Sequence, residues 1–214
     1  MLGHGDDDTL KGFGRSDGLL GQEGDHRLRG EGAIDEYGFE RSHWGHDTII
    51  EDSPSRNAIS LPYTESFAGT IETNLISSSA AEVTNPSGTS TVNWDGNVIA
   101  FVLGSSGNDM VVGNDAANAT IDDAETDTDN ITGAEGNDFI VVQDGDTDDV
   151  VDCGEGSDTV YFDAGEVTTN CEELNPEEPG LAAREATADG AWVLQGASPL
   201  FSGDQWGTYP ADVR

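Results

Sequence analysis

GHGDDDTLKGFGRSDGLLGQEGDHRL, residues 3–28, repeats on itself every nine residues. Gly3, Gly12, Gly21 and Gly30 open successive units, Asp8, Asp17, His26 and Asp35 stand at the sixth position, and Leu10, Leu19, Leu28 and Tyr37 at the eighth. Nine fits neither the 3.6-residue turn of a helix nor the two-residue alternation of a hairpin. An internal period has to be settled before local propensities, because it determines the fold as a whole.

The same register returns in cleaner form downstream. GSSGNDMVV from Gly104, GAEGNDFIV from Gly133 and CGEGSDTVY from Cys153 keep Gly107, Gly136 and Gly156 at the fourth position and Asp109, Asp138 and Asp158 at the sixth. Weaker units between them carry Asn118, then Asp129 with Ile131, then Asp148 with Val150, at spacings that drift from nine to ten or eleven. A loop tolerates such drift.

Charge is the problem this repeat has to solve. The 214 residues include 43 acidic side chains against 8 Lys and Arg, a formal net charge of −35. The 43 Leu, Ile, Val and Phe side chains, a fifth of the chain, place it near the compositional border of disorder. An ordinary oily core is therefore not the expected source of stability. Lys11 is the only lysine, which excludes the basic face that nucleic acid demands. Small cations are the partners such a field attracts. No run approaches the roughly 20 apolar residues of a membrane-spanning helix.

On these residues the chain resembles the hemolysin-type calcium-binding repeat of the RTX family, whose pattern is G-G-x-G-x-D-x-U-x. The likeness covers roughly residues 2–50 and 104–172. It implies an all-β fold, a parallel β-roll (a calcium-binding β-solenoid), in which six residues of each unit turn, three form a strand and two units complete a coil. Glycine suits the turn because it takes positive φ at little steric cost. Aspartate supplies a charged oxygen, and Ca²⁺ collects about 6 to 8 oxygens at about 2.3–2.6 Å. The eighth position points inward and gives a thin apolar core.

Loops one coil apart are then expected to stack with calcium between them. Asp17 pairs with Asp35 in the first array, and Asp109 with Asp129, Asp129 with Asp148 and Asp138 with Asp158 in the second. Gly104, Gly107, Gly133, Gly136, Gly154 and Gly156 shape the loops around them. The loop of Asp8 stacks on that of His26, where the family's acid is missing, so that site is expected to be weak or empty. Asp6, Arg15 and Ala33 replace glycine at the fourth position of the first array, where positive φ would strain them or force the loop to relax. The second array is expected to bind more firmly.

Cys153 and Cys171, the only cysteines, are 18 residues apart, one coil of such a roll. Neighbouring parallel strands lie about 4.8 Å apart, inside the roughly 4.4–6.8 Å that a disulfide accepts between Cα atoms. A bridge there would add about 3 kcal/mol by restricting the unfolded chain and would imply an oxidising compartment. Two unpaired small residues are the alternative.

Competing motifs are weaker. DGDTDDVVDCGE puts Asp144, Asp146, Asp148, Asp152 and Glu155 at positions 1, 3, 5, 9 and 12 of an EF-hand loop, but Asp149 stands where that loop needs glycine and the flanks read as β. His43 and His46 lack the glutamate and third ligand of a zinc motif. No G-x-S-x-G elbow occurs, so no catalytic residue is expected.

The chain divides into a first, degenerate array with its closing segment (1–50), in which Tyr37, Phe39, Trp44 and Ile49 seal an end, an irregular β connection (51–103), a second array (104–173) and a tail (174–214). Met1 leads directly into a repeat with neither a basic nor an apolar leader segment, so either the natural start lies upstream, the favoured expectation, or export uses another signal. The reading that results is a secreted, extracellular, monomeric module whose cofactor and partner is calcium. Its alternatives are the accessory part of a secreted hydrolase or protease, or a spacer in a surface adhesin that meets cell-surface or matrix components.

Overall fold

The computed structural model describes residues 1–39, 44–51, 56–61, 70–76, 79–82, 90–96, 99–121, 127–177, 184–186 and 192–194. His43 and most of the tail, residues 178–183, 187–191 and 195–214, lie outside them. The described residues form strands and turns with no helix, hence none long and apolar enough to cross a membrane.

Each early unit contributes one three-residue strand, and successive strands go alternately to two sheets. Thr9–Lys11, Arg27–Arg29 and His46–Ile49 pair in parallel in one. Gly18–Leu20, Glu36–Gly38 and Asn57–Ser60 pair in parallel in the other. Leu10 lies opposite Leu28, and Leu19 opposite Tyr37, so two units make one coil. Downstream, Asp109–Val112, Asn130–Thr132 and Val150–Asp152 extend the first sheet, while Ala119–Ile121, Phe139–Val142 and Thr159–Asp163 extend the second. The architecture is a parallel β-roll.

The eighth-position side chains meet between the sheets. Leu10, Leu19, Leu28, Tyr37, Val111, Ile131, Ile140, Val151 and Val160 belong to a single buried cluster that runs the length of the roll. With about one large inward side chain per strand, this core is thin, and the polar loop edges have to contribute to the fold's stability.

Residues 51–103 carry no nonapeptide phase, yet their strands complete both sheets. Ile99–Leu103 pairs with Asn57–Ser60 on one side and Ala119–Ile121 on the other. In the opposite sheet, Ile71–Asn74 pairs in parallel with Asp109–Val112, and Thr91–Asn93 with His46–Ile49. Ser79–Glu82 runs antiparallel between these two strands. Among the described residues this sheet has ten strands against eight in its partner, three and two of them from residues 51–103. Tyr37, Phe39, Trp44 and Ile49 are all buried, but in mid-stack. The expectation that they seal an end is corrected by the strands that pair beyond them.

The eight-stranded sheet also has a second apolar cluster of Ala58, Phe101, Ala119, Ile121 and Val141. These alternate with the core residues along each strand and so lie on its other face. At the C-terminal end, Val167–Thr169 and Glu173–Glu177 add one strand to each sheet. Pro176, which cannot donate to a ladder, sits on this edge. A disulfide joins Cys153 to Cys171, with Cα atoms 5.2 Å apart. Arg184–Ala186 and Trp192–Leu194 form a separate antiparallel pair.

Candidate metal centre

The loops owe their shape to their first four positions. Glycine is needed at position 1 because the position-6 carboxylate folds back over it and, at Gly3, Gly113 and Gly133, the carbonyl of position 1 on the next coil presses still closer. A Cβ on Gly133 would lie 2.6 Å from Asp138 Oδ2, and one on Gly12 would lie 2.5 Å from Asp17 Oδ2. Position 2 is left-handed in most units, with φ of 70° at His4, 68° at Phe13, 67° at Gln22, 70° at Glu31, 80° at Ala134 and 96° at Gly154, but not at Ser105. The expected strain at position 4 is therefore displaced. Where Arg15 and Ala33 stand there, Gly14 and Gly32 at position 3 take the positive φ, whereas Gly24 and Gly136 take it at position 4 itself.

Positions 5 and 6 latch each loop to its two neighbours. At position 6 a carboxylate accepts the amide N–H of the same position one coil earlier. The bonds run from Asp17 to Asp35 Oδ1 (2.8 Å), Asp109 to Asp129 Oδ1 (2.8 Å), Asn118 to Asp138 Oδ1 (2.7 Å) and Asp138 to Asp158 Oδ1 (2.7 Å). At position 5 the direction reverses. Asp25 N–H donates to Asp7 Oδ1 (3.0 Å), His46 N–H to Asp25 Oδ1 (2.9 Å) and Ser157 N–H to Asn137 Oδ1 (3.1 Å). The Asn-Asp pairs of the second array are thus two hooks pointing opposite ways along the stack.

The expected pairs Asp17–Asp35, Asp109–Asp129 and Asp138–Asp158 do stack. Asp129 N–H, however, donates to Asp149 Oδ1 (2.8 Å). Asp148 is exposed, with its own N–H on Asp146 Oδ1 (3.0 Å). The drift in spacing shifted this loop by one residue, and the buried rung belongs to Asp149. Asp8 is exposed. On the next coil, buried His26 donates its N–H to Asp47 Oδ1 (2.7 Å) and sets its ring Nδ1 2.9 Å from the same oxygen. Gly104 and Gly107 lie in the buried loop ahead of Asp109, and Gly107 N–H donates to Ser105 Oγ (3.2 Å). Gly136 and Gly156 face each other in a short ladder between loops, where the N–H of Glu155, next to Gly154, donates to the Ala134 carbonyl (2.7 Å).

Electrostatics shows what these rungs lack. Asp35, Asp138 and Asp158 are buried, and the Oδ2 of each has no hydrogen-bond partner among the described residues. A buried carboxylate without a counter-charge takes up a proton or a cation. Burial pushes Asp138 up to about 7, with repulsion from Asp158 adding to it and the Asn118 amide opposing it. Burial also raises Asp129 to about 9, with repulsion from Asp127, Asp109 and Asp149, against the Asp109 amide. Asp35 and Asp158 are raised as well, chiefly by burial.

One group of acids converges further. Asp144, Asp146, Asp149 and Glu166 each offer an oxygen, and all four atoms lie within 4.8 Å of one another. This acidic group could hold a metal ion. Asp144 and Asp146 were visible in the EF-hand spacing, but Asp148 and Glu155 are exposed and take no part. Glu166 lies in the second array but at no position of the nine-residue motif, and no spacing rule pointed to it. Burial pushes Asp149 up to about 7 and Glu166 to about 9, and the neighbouring carboxylates push the same way. Compared with known protein families and with curated proteins, the chain matches none.

Proposed function

We propose that the chain is a calcium-binding β-roll module of the RTX type, part of a larger exported protein, which becomes firmly folded when it binds Ca²⁺. One observation carries this reading: Asp138 and Asp158, stacked coil upon coil, are buried with one oxygen on a backbone amide and the other without a hydrogen-bond partner among the described residues. A hard cation with oxygen ligands is the chemistry that matches an open, anionic oxygen in a glycine-shaped loop. The net charge of −35 supports it, since carboxylate repulsion loosens the chain where calcium is scarce and cation binding to the folded form alone draws it together. The disulfide supports an oxidising destination outside the cytoplasm.

Far-UV circular dichroism during a calcium titration of EDTA-treated protein tests the proposal. The β signal is expected to grow and saturate, and an unchanged spectrum together with an unchanged melting temperature would refute it. Asp138→Asn or Asp158→Asn is expected to weaken calcium binding more than Asp8→Asn, because only the first two carboxylates are buried.

A further inference from the structure

We propose that Asp144, Asp146, Asp149 and Glu166 form a cation site of a different kind from the repeating rungs, one that takes a calcium-sized hard cation and is completed by the disulfide-held turn at the end of the roll. This rests on the reading of the chain as a cation-binding roll, and of the rung carboxylates it uses Asp149 alone. Three carboxylates come from one loop, at its first, third and sixth positions, where the repeat opening at Gly104 has Gly104, Ser106 and Asp109. The fourth belongs to the short turn between Thr159–Asp163 and Val167–Thr169. Pairing of Val150 with Val167 sets Glu166 beside Asp149, one coil on.

The buried members of the group carry the observation that points to a ligand. Asp149 is 1% exposed and Glu166 is 8% exposed. One oxygen of each is occupied, by the N–H of Asp129 (2.8 Å) and of Asp163 (2.9 Å) respectively. Asp149 Oδ2 and Glu166 Oε1 have no hydrogen-bond partner among the described residues. A proton can bridge only two such oxygens. Ligands on opposite sides of a Ca²⁺ stand about 4.6–5.2 Å apart, so a single ion can bridge four atoms that all lie within 4.8 Å of one another.

Glu166 reaches this group from a weakly anchored strand. Val167 and Thr169 are exposed, and no side chain of Val167–Thr169 enters the apolar core. The strand is held by its parallel pairing, with Val167 N–H on Asp149 O (3.3 Å) and Cys153 N–H on Thr169 O (3.0 Å), by the Thr169 hydroxyl on Val151 O (3.3 Å) and the Asn170 side-chain amide on Asp152 Oδ1 (2.7 Å), and by the Cys153–Cys171 bridge. The loop closed by that bridge contains Glu166. The disulfide therefore limits how far the fourth ligand can leave the other three.

Calcium binding to the full chain, by isothermal titration calorimetry with ion counts from native mass spectrometry, tests the proposal. Glu166→Gln is expected to weaken one ion about tenfold or more, and a paired Cys153→Ser, Cys171→Ser variant to weaken the same ion about tenfold. Combined, they should lose no more than Glu166→Gln alone. Asp146→Asn, in a partly exposed loop, should reproduce the loss should the serine variant fold poorly by circular dichroism. Glu166→Gln leaving every ion in place, while Asp138→Asn removes one, would overturn the site and leave the rungs standing. An unchanged ion in a folded serine variant would overturn the part given to the disulfide. Wild-type protein that binds no calcium would overturn the functional reading itself.

Discussion

A single residue position shows how the sequence pattern and the backbone disagree. The repeat pattern wants glycine at position 2, and the backbone there is left-handed, yet His4, Phe13, Gln22, Glu31 and Ala134 occupy it. Left-handed geometry costs an L-residue about 1–2 kcal/mol, only part of which a glycine's larger unfolded-state entropy offsets. Ala134→Gly is therefore expected to stabilise the calcium-loaded protein by about 0.5–1 kcal/mol in urea unfolding, and a loss of stability would show that the loop is not strained. Gly133→Ala should do the opposite, by about 1–3 kcal/mol, because its Cβ would run into the Cys153 backbone carbonyl on the next coil and lie 2.6 Å from Asp138 Oδ2. The importance of position 1 was legible in the phased glycines. The strain at position 2 was not, because which loop residue turns left-handed depends on where its neighbours' carbonyls fall.

The coil as an element is held by an inward side chain and two polar hooks. Its strand was easy to read, since Leu10, Leu19 and Leu28 recur in phase and all three are buried. The hooks were half legible: Asn-Asp marked the loops, but the opposite directions of their bonds emerge only once coils are stacked. The two positions should differ in weight. Asn137→Ala removes an exposed bond to Ser157 N–H and is expected to cost about 0.5–1 kcal/mol in calcium. Asp138→Ala leaves the buried Asn118 N–H without its acceptor and removes a cation ligand, so its cost should be about 1–3 kcal/mol in calcium. Equal losses would mean that position 6 supplies no more than a hydrogen bond. Spacing drift hides Asp149 behind Asp148: the preceding unit, Gly133 to Gln143, has eleven residues, and only the pairing of Val151 with Ile131 fixes which aspartate precedes the strand.

At the scale of the whole molecule the two arrays share one core, because Asn57–Ser60 and Ile99–Leu103 carry the eight-stranded sheet across a stretch without the nine-residue phase. Strand pairing needs no side-chain repeat, so this continuity was hidden in the sequence. One roll also means that its buried acids act on a common stability. Without a cation, Asp129 and Glu166 are pushed up to about 9, Asp138 and Asp149 to about 7 and Asp47 to about 6, with burial the largest cause in each. In unfolded chain the same groups titrate near about 4. Between those limits the folded form binds more protons than the unfolded, so stability falls as pH rises. The proton-linked contribution is complete below about pH 4 and is lost in turn as pH climbs through 6, 7 and 9. Calcium competes for the same oxygens and gains as the protons leave. The melting temperature of EDTA-treated protein is therefore expected to fall steadily from pH 5 to pH 9, while the increment from saturating calcium grows over the same range. Calcium added at pH 7 in a weak buffer should release protons. A metal-free melting temperature that rose with pH would mean that the rungs are already neutralised by something other than protons, and the coupling of cation binding to folding would fail with it.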